Sequence, residues 1–285
     1  MTSAMQVFDR RAVRRHRDRA AATVDAVADV LGDAATRLLD RLDDISFRFT
    51  RALDVGGRGI VAPLLRARGI ETFATDLSPA MAARAGAPAV AADDEFFPFA
   101  PASFDLIVAS LSLHWVNDLP GALIQLRLAL RPDGLLLASL PALGTLAELR
   151  TALTETEAAL TGGASPRIAP FPDLRDCAGL LQRAGFALPV ADVEDILIRY
   201  ADPLALLRDL RAAGETNAVA LRDRRTPPRT LFPLALAALP RGEGRVPATL
   251  RLAILTGWAP APSQPKPLAR GSARTSLADF LERET

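Results

Sequence analysis

ALDVGGRGIVAPLLRARG, residues 52–69, reads as a short apolar strand, a glycine-rich turn and the start of a helix. Open α/β sheets hold nucleotides in this way, because a turn without side chains lets the backbone approach the ligand and aims N–H groups at it. Taken literally, Gly57-Arg58-Gly59-Ile60-Val61-Ala62 satisfies the dinucleotide fingerprint G-x-G-x-x-G/A. Asp76 follows at about the spacing at which a carboxylate reaches a ribose diol. The residue before the turn points to a different ligand. Asp54 ends the strand, and a carboxylate there suits a cationic group and repels a pyrophosphate.

Outward from this turn, short β-rich runs alternate with helical stretches from about Ser46 to Pro141. RALDV, ETFATD, APAVAAD, FDLIVASL and GLLLASL are strand-like, and RPDG has the Pro and Gly of a helix stop and turn. The expected fold is α/β: a Rossmann-like, doubly wound, mostly parallel seven-stranded sheet with an N-terminal helical arm and a helical cover. Ligands then sit at the carboxyl ends of the strands. The arm is expected at 1–45 and the main domain at 46–258, with a helical insertion at about 200–240. A Pro-rich linker and a short helix capped at Ser276, with Asp279 three residues on, are expected at 259–285. Pro63 falls in the first helical turns after the glycines, where a missing N–H is tolerated.

Composition excludes several classes. With 285 residues, 49% of them apolar, the chain can bury a full core, and a formal charge of +1 provides no global attraction to nucleic acid. No apolar run approaches a membrane span and no signal-peptide core opens the chain, so no transmembrane segment and a cytoplasmic location are expected. Cys177 is alone, which excludes an intrachain disulfide, and it is expected buried and inert. His16 and His114 are the only histidines, and no metal site is expected. Six arginines between Arg10 and Arg19 read as a solvated helix face paired with Asp9 and Asp18 rather than an anionic docking patch.

Asp54 and the turn resemble the acidic-x-Gly-x-Gly-x-Gly loop of class I S-adenosylmethionine (SAM)-dependent methyltransferases. DDEFFPFAPASFDLIVASLSLHWV resembles their run of an acid, a Leu-Pro-Phe-like turn, Ser-Phe-Asp and a strand. This resemblance implies SAM as cofactor, held by Asp54, Gly56, Gly57, Arg58, Gly59, Asp76, Leu77, Asp93 and Asp94, with Asp93 near the adenine amino group. It also implies that alanine at Asp76 removes affinity while leaving the fold.

FDRRAVRRHRDRAA, SLSLHWVNDLPGAL, GGASPRIAPFPDLRDCAGLLQRAGFALPV, LRDLRAAGETNA and ILTGWAPAPSQPKP are similar to the family of complex I assembly factors with a methyltransferase fold and their bacterial relatives. The likeness runs from about residue 7 to 268. The malonyl-carrier O-methyltransferases of biotin synthesis are a more distant likeness. The family implies a protein or acyl-carrier substrate, such as a complex I subunit, with methyl transfer as the default reaction. Arginine hydroxylation, malonyl-carrier O-methylation and a non-catalytic assembly chaperone stand as alternatives. Family members commonly read Asp-x-Gly-Cys-Gly-Arg-Gly, so DVGGRG is read as that turn with one residue deleted after Gly56, rather than as an ungapped turn with Arg58 in place of the middle glycine. Arg58 is expected near the methionine carboxylate of SAM, or else facing solvent.

The catalytic group stays open. His114 suits a base or a group lining the cofactor pocket, and its neighbour Trp115 is expected to pack. Arg167, Glu215 and Asn217 suit a substrate cleft, or equally a turn and a helix cap.

Overall fold

Strands buried on both faces carry continuous apolar runs whose side chains alternate between two cores. FDLIVAS forms β4 (Phe104–Ser110), fully buried, with Leu106 and Val108 packing into one cluster and Ile107 and Ala109 into the other. The same alternation splits Leu135 and Leu137 from Leu136 and Ala138 in β5 (Leu130–Pro141). Replacing Ile107, which is completely buried, by valine should cost about 0.5–1.5 kcal/mol in denaturant unfolding, because one methyl group of sheet packing is lost.

The computed structural model describes residues 6–265 and Ser272, so the expected helix at Ser276 and Asp279 lies outside the described residues. The other strands are β1 (Arg51–Val55), β2 (Glu71–Asp76), β3 (Ala89–Ala91), β6 (Ala187–Tyr200) and β7 (Val246–Trp258). They form one seven-stranded sheet in the order β3-β2-β1-β4-β5-β7-β6. Strands β1 to β5 pair in parallel, and β7 runs antiparallel to both β5 and β6. The order reverses between β1 and β4, which opens a crevice at their carboxyl ends. APAVAAD contributes only the three exposed residues of β3. RPDG is not a turn before β5 but part of it: Leu130 pairs with Phe104, the register shifts, and Asp133 takes a left-handed φ of 60°.

The arm consists of α1 (Arg10–Ala20), a 3-10 turn (Val24–Val27), α2 (Ala28–Leu39) and a second 3-10 turn (Asp40–Leu42). Asp9 caps α1 by accepting from the Ala12 N–H, while Leu38 and Leu39 of α2 are buried in the core. Helices α3 (Val61–Ala67), α4 (Pro79–Arg84), α5 (Leu119–Ala129) and α7 (Leu174–Arg183) flank the sheet. Cys177 on α7 is buried, and burial pushes its thiol up to about 11. The cover comprises α8 (Pro203–Ala212) and α9 (Leu231–Ala237), and also α6 (Ala147–Thr161) from a separate connection. Leu149, Leu153, Tyr200, Leu206, Leu236 and Val246 bind these three helices to β6 and β7 through a core of their own. No helix among the described residues is long and apolar enough to cross a membrane.

Candidate functional site

The glycine turn leaves β1 with Gly56 at φ 65° and its N–H donating to Thr75 O at 2.7 Å. A Cβ on Gly56 would stand 2.6 Å from Ser112 Cβ, and one on Gly57 would stand 2.2 Å from Asp54 Oδ1. Neither position has room for a side chain. Asp54 is buried, and its Oδ2 accepts from the Ala62 N–H at 3.0 Å, which ties the strand end to the first turn of α3. Its Oδ1 forms no aligned hydrogen bond, although the Gly57 amide is near enough to favour the charged form. Burial pushes the Asp54 carboxyl from 3.8 up to about 7, with the Asp76 charge adding to the rise and the Ala62 N–H opposing it.

Arg58 does not face solvent. It takes φ 55° and turns inward, only 3% exposed. Its guanidinium donates to Leu111 O at 2.9 Å and Ala213 O at 3.3 Å and pairs with Glu215. The Leu111 and Ala213 carbonyls and the Glu215 carboxylate partly offset the cost of burying this cation. Burial and then the neighbouring Arg17 charge lower Arg58 to about 10, against the pull of Glu215.

The arginine cluster is not wholly a solvated face. Arg17 is 3% exposed and donates to Gly56 O at 3.1 Å and to Asp76 Oδ2 at 3.0 Å. Asp76 Oδ1 accepts from the Ser78 N–H at 2.9 Å, so both oxygens of this carboxylate are engaged. Arg10 bonds Asp93 at 2.5 Å and Trp115 O at 3.2 Å, and lies 3.6 Å from Asp94. Asp18, on the same helix, accepts from the Ser78 hydroxyl at 2.5 Å. Helix α1 thus lies as a strap over the carboxyl ends of β1 to β3. Val13, Arg17 and Ala20 recur at helical spacing on the buried face, with the half-buried Arg10 one turn before them, a signal the sequence did contain. Asp93 is the partly exposed partner of Arg10, with a third of its side chain open. The buried acid at this strand end is Asp94, raised to about 6 by burial, with Arg10 opposing the rise. Leu77 packs beside Phe8 and Trp115.

Next to this crevice the cover closes a mainly apolar cavity of about 140 Å³, whose walls include Leu111, Pro141, Phe171, Ile198 and Leu250. His114, Arg58, Arg167, Glu215 and Asn217 also line it, which brings the expected substrate-cleft residues to one place. Glu215 Oε2 accepts from His114 Nε2 at 2.8 Å and from Trp115 Nε1 at 2.7 Å, while Oε1 meets Arg58. Burial would raise the Glu215 carboxyl, but His114, Arg58 and Arg17 outweigh it and hold the group well below the usual carboxylate range. Trp115 packs edge-on against Phe8 at 5.2 Å. Arg167 is held by Glu157, with Nε 3.0 Å from Oε2. The Asn217 side chain reaches Pro166 O at 2.8 Å and the Val219 N–H at 3.0 Å.

Buried polar atoms around the crevice and cavity that make no aligned hydrogen bond include Asp54 Oδ1, Asp94 Oδ1, Ser112 Oγ, His114 Nδ1 and Arg10 Nε. Such atoms are uncommon in folded proteins, and an ordered water or a ligand's donors can satisfy them. Two carboxylate oxygens at the ends of β1 and β3 fit an ammonium and an amino-bearing base. The close approaches at Gly56 and Gly57 are to Ser112 and Asp54 of the chain itself, so these glycines let the turn pack against β1 and the loop after β4. Asp76 has lone pairs left beyond those met by Arg17 and the Ser78 N–H, and a ribose diol there would share Oδ2 with Arg17.

A family model described as a methyltransferase domain matches residues 13–189. The arginine-hydroxylase NDUFAF5, mitochondrial, of Danio rerio is 38% identical over 290 residues, 97% of this chain and 90% of that protein. The malonyl-[acyl-carrier protein] O-methyltransferase of Laribacter hongkongensis is 39% identical over 274 residues, 89% of this chain and 90% of that protein. Among solved structures, the YcgJ protein of Bacillus subtilis superposes with a TM-score of 0.54 at 15% identity, covering 79% of this chain and 98% of that one. That last likeness is one of fold alone.

Proposed function

The chain belongs to the methyltransferase-domain family, and on that premise we propose that it binds S-adenosylmethionine in the crevice at the carboxyl ends of β1 to β4 and modifies an acceptor in the adjoining cavity. The observation that carries the reading is the set of unpaired buried polar atoms, Asp54 Oδ1 and Asp94 Oδ1 above all, at the strand ends around the glycine turn. When bound, the cofactor supplies an electrophilic methyl group on a sulfonium. Asp54 neutralises the ammonium end, Asp94 accepts from the adenine amino group, and Asp76 takes the ribose hydroxyls. The protein's share of catalysis is then largely to exclude water and orient the acceptor.

The acceptor is a protein side chain rather than a malonyl carrier. The arginines among the described lining residues, Arg58 and Arg167, are already paired with Glu215 and Glu157, so an acceptor carboxylate would meet no unpaired arginine. The names of the relatives divide the same way, between a hydroxylase of arginine and a methyltransferase of an acyl-carrier protein. A complex I subunit is the acceptor to test first. The proposal includes a cytoplasmic site of action, and recovery of the tagged protein from the membrane fraction alone would contradict it.

Calorimetry of the full chain with SAM tests the pocket: saturable one-to-one binding is expected, and no heat at millimolar cofactor would refute the reading. Mass spectrometry of the complex I subunit and of malonyl-acyl-carrier protein, each incubated with the enzyme and SAM, tests the acceptor. Methyl addition to the subunit is expected. Oxygen addition would move the reaction to hydroxylation, and methylation of the carrier alone would overturn the choice of substrate.

A further inference from the structure

We infer that His114 is the general base of this site, fixed in one tautomer by Glu215, so that the acceptor atom is an N–H or O–H group that must lose its proton. The inference rests on the methyl-transfer reading above. His114 lies in the 3-10 turn Leu113–Trp115 immediately after β4, where the sheet's carboxyl end meets the cavity. Its side chain is 1% exposed and its Nε2 lies 2.8 Å from Glu215 Oε2. An ionised carboxylate has only lone pairs to offer, so the neutral ring carries its hydrogen on Nε2 and presents a lone pair at Nδ1. That Nδ1 is buried and has no partner.

A histidine serving only to pack or brace the fold would satisfy both nitrogens, since an unpaired buried acceptor costs about 1–3 kcal/mol. Here one nitrogen is anchored firmly and the other is buried without a partner, on a residue that lines the cavity. Glu215 cannot swing away, because Trp115 Nε1 and Arg58 hold the same carboxylate. The result is a base oriented by a carboxylate, with Glu215 as the positioning residue and His114 as the group that meets the acceptor.

The proton accounting separates acceptor classes. A carboxylate is already ionised at neutral pH and needs no base. An N–H or O–H acceptor releases its proton to Nδ1 as its electron pair forms the bond to the methyl carbon. The carbon–sulfur bond breaks with its electrons left on sulfur, and the sulfonium becomes a neutral thioether. The imidazolium so formed sits against Glu215, which stabilises the charge.

The charged groups facing the ring are Glu215 from the connection after α8, Arg58 from the glycine turn and Arg17 from α1. Burial, with both arginines adding, lowers the His114 value below 6.5 against the pull of Glu215, so the base is free at neutral pH.

Nitrogen-15 NMR of the full chain with labelled histidine tests the tautomer without any acceptor. The expected result is an Nε2–H tautomer at neutral pH that titrates below 6.5, and a mixture of tautomers in Glu215→Gln. A proton on Nδ1 in the wild-type protein would overturn the inference. With the complex I subunit as acceptor, His114→Gln should lower kcat by about 10²–10⁴-fold, leave SAM affinity unchanged and remove the acid limb of the pH profile. Unchanged kcat in His114→Gln overturns the base while leaving the cofactor reading intact. Failure of the wild-type chain to bind SAM overturns the methyl-transfer reading itself.

Discussion

Asp76→Ala is expected to weaken SAM binding by roughly a hundredfold or more and also to destabilise the protein by about 3–5 kcal/mol. The first effect follows from losing two charge-assisted hydrogen bonds to the ribose hydroxyls. The second follows from Arg17, which is 3% exposed and donates to Asp76 Oδ2 at 3.0 Å. Removing the carboxylate strands a buried guanidinium with only Gly56 O as its remaining partner. The expectation that alanine at Asp76 leaves the fold intact is therefore replaced by a coupled prediction. Arg17→Met combined with Asp76→Ala should restore most of the stability in urea unfolding but none of the affinity in calorimetry. Arg17→Met alone should tighten cofactor binding, because the ribose no longer competes with an internal cation for the same oxygen. Weaker binding in Arg17→Met would show instead that the arginine holds the cofactor.

The second large effect is a dependence on pH. Cofactor affinity should rise about tenfold per pH unit from pH 5 and level off above about 7, where Asp54 becomes ionised. The Asp54 carboxyl is raised from 3.8 to about 7 by burial, so the free protein holds it protonated in weak acid, and a cationic ligand must expel that proton. Binding near pH 6 should therefore release protons, read as a buffer-dependent enthalpy in calorimetry, and Asp54→Asn should remove the part of this dependence centred near pH 7, leaving the Asp94 part below it. Asp94, raised to about 6, steepens the acid side. For stability of the free protein the sign is opposite. A group whose folded value is raised contributes stability that is complete below its unfolded value and is lost as pH rises through the folded one. The ligand-free protein should thus lose Asp54's contribution between about 4 and 7. A flat affinity profile from pH 5 to 8 would contradict the placement of the cofactor's cation at Asp54.

Much of the fold is legible in local pattern. FDLIVASL is a run too apolar for a one-sided strand, and DVGGRG is too short of side chains to be anything but a close approach of backbone. Asp54 and Asp76 stand at or next to strand ends because the strands are short, β1 closing at Val55 before the glycine turn and β2 at Asp76. RPDG was less legible: its Pro and Gly fit a turn and a bulge equally well, and pairing with Phe104 decides for the bulge. The site was read only in part. Arg58 was placed correctly in the turn, but its destination depended on carbonyls at Leu111 and Ala213 that no local spacing reveals. At the end of β3, DDE offers two candidate acids, and the docking of Arg10 against Asp93 leaves Asp94 as the buried one.

By itself the sequence determined the order of strands and helices, the glycine turn and the carboxylates at the strand ends. All of these depend on contacts within a few residues, where backbone sterics and apolar periodicity act directly. Tertiary structure alone decided which charges meet. Arg17 reaches Asp76 across 59 positions and Arg58 reaches Glu215 across 157, when α1 and the cover close over the sheet. A buried charge takes whatever partner packing brings within about 3 Å, and although helical spacing shows which face of α1 is buried, it does not show which carboxylate that face meets.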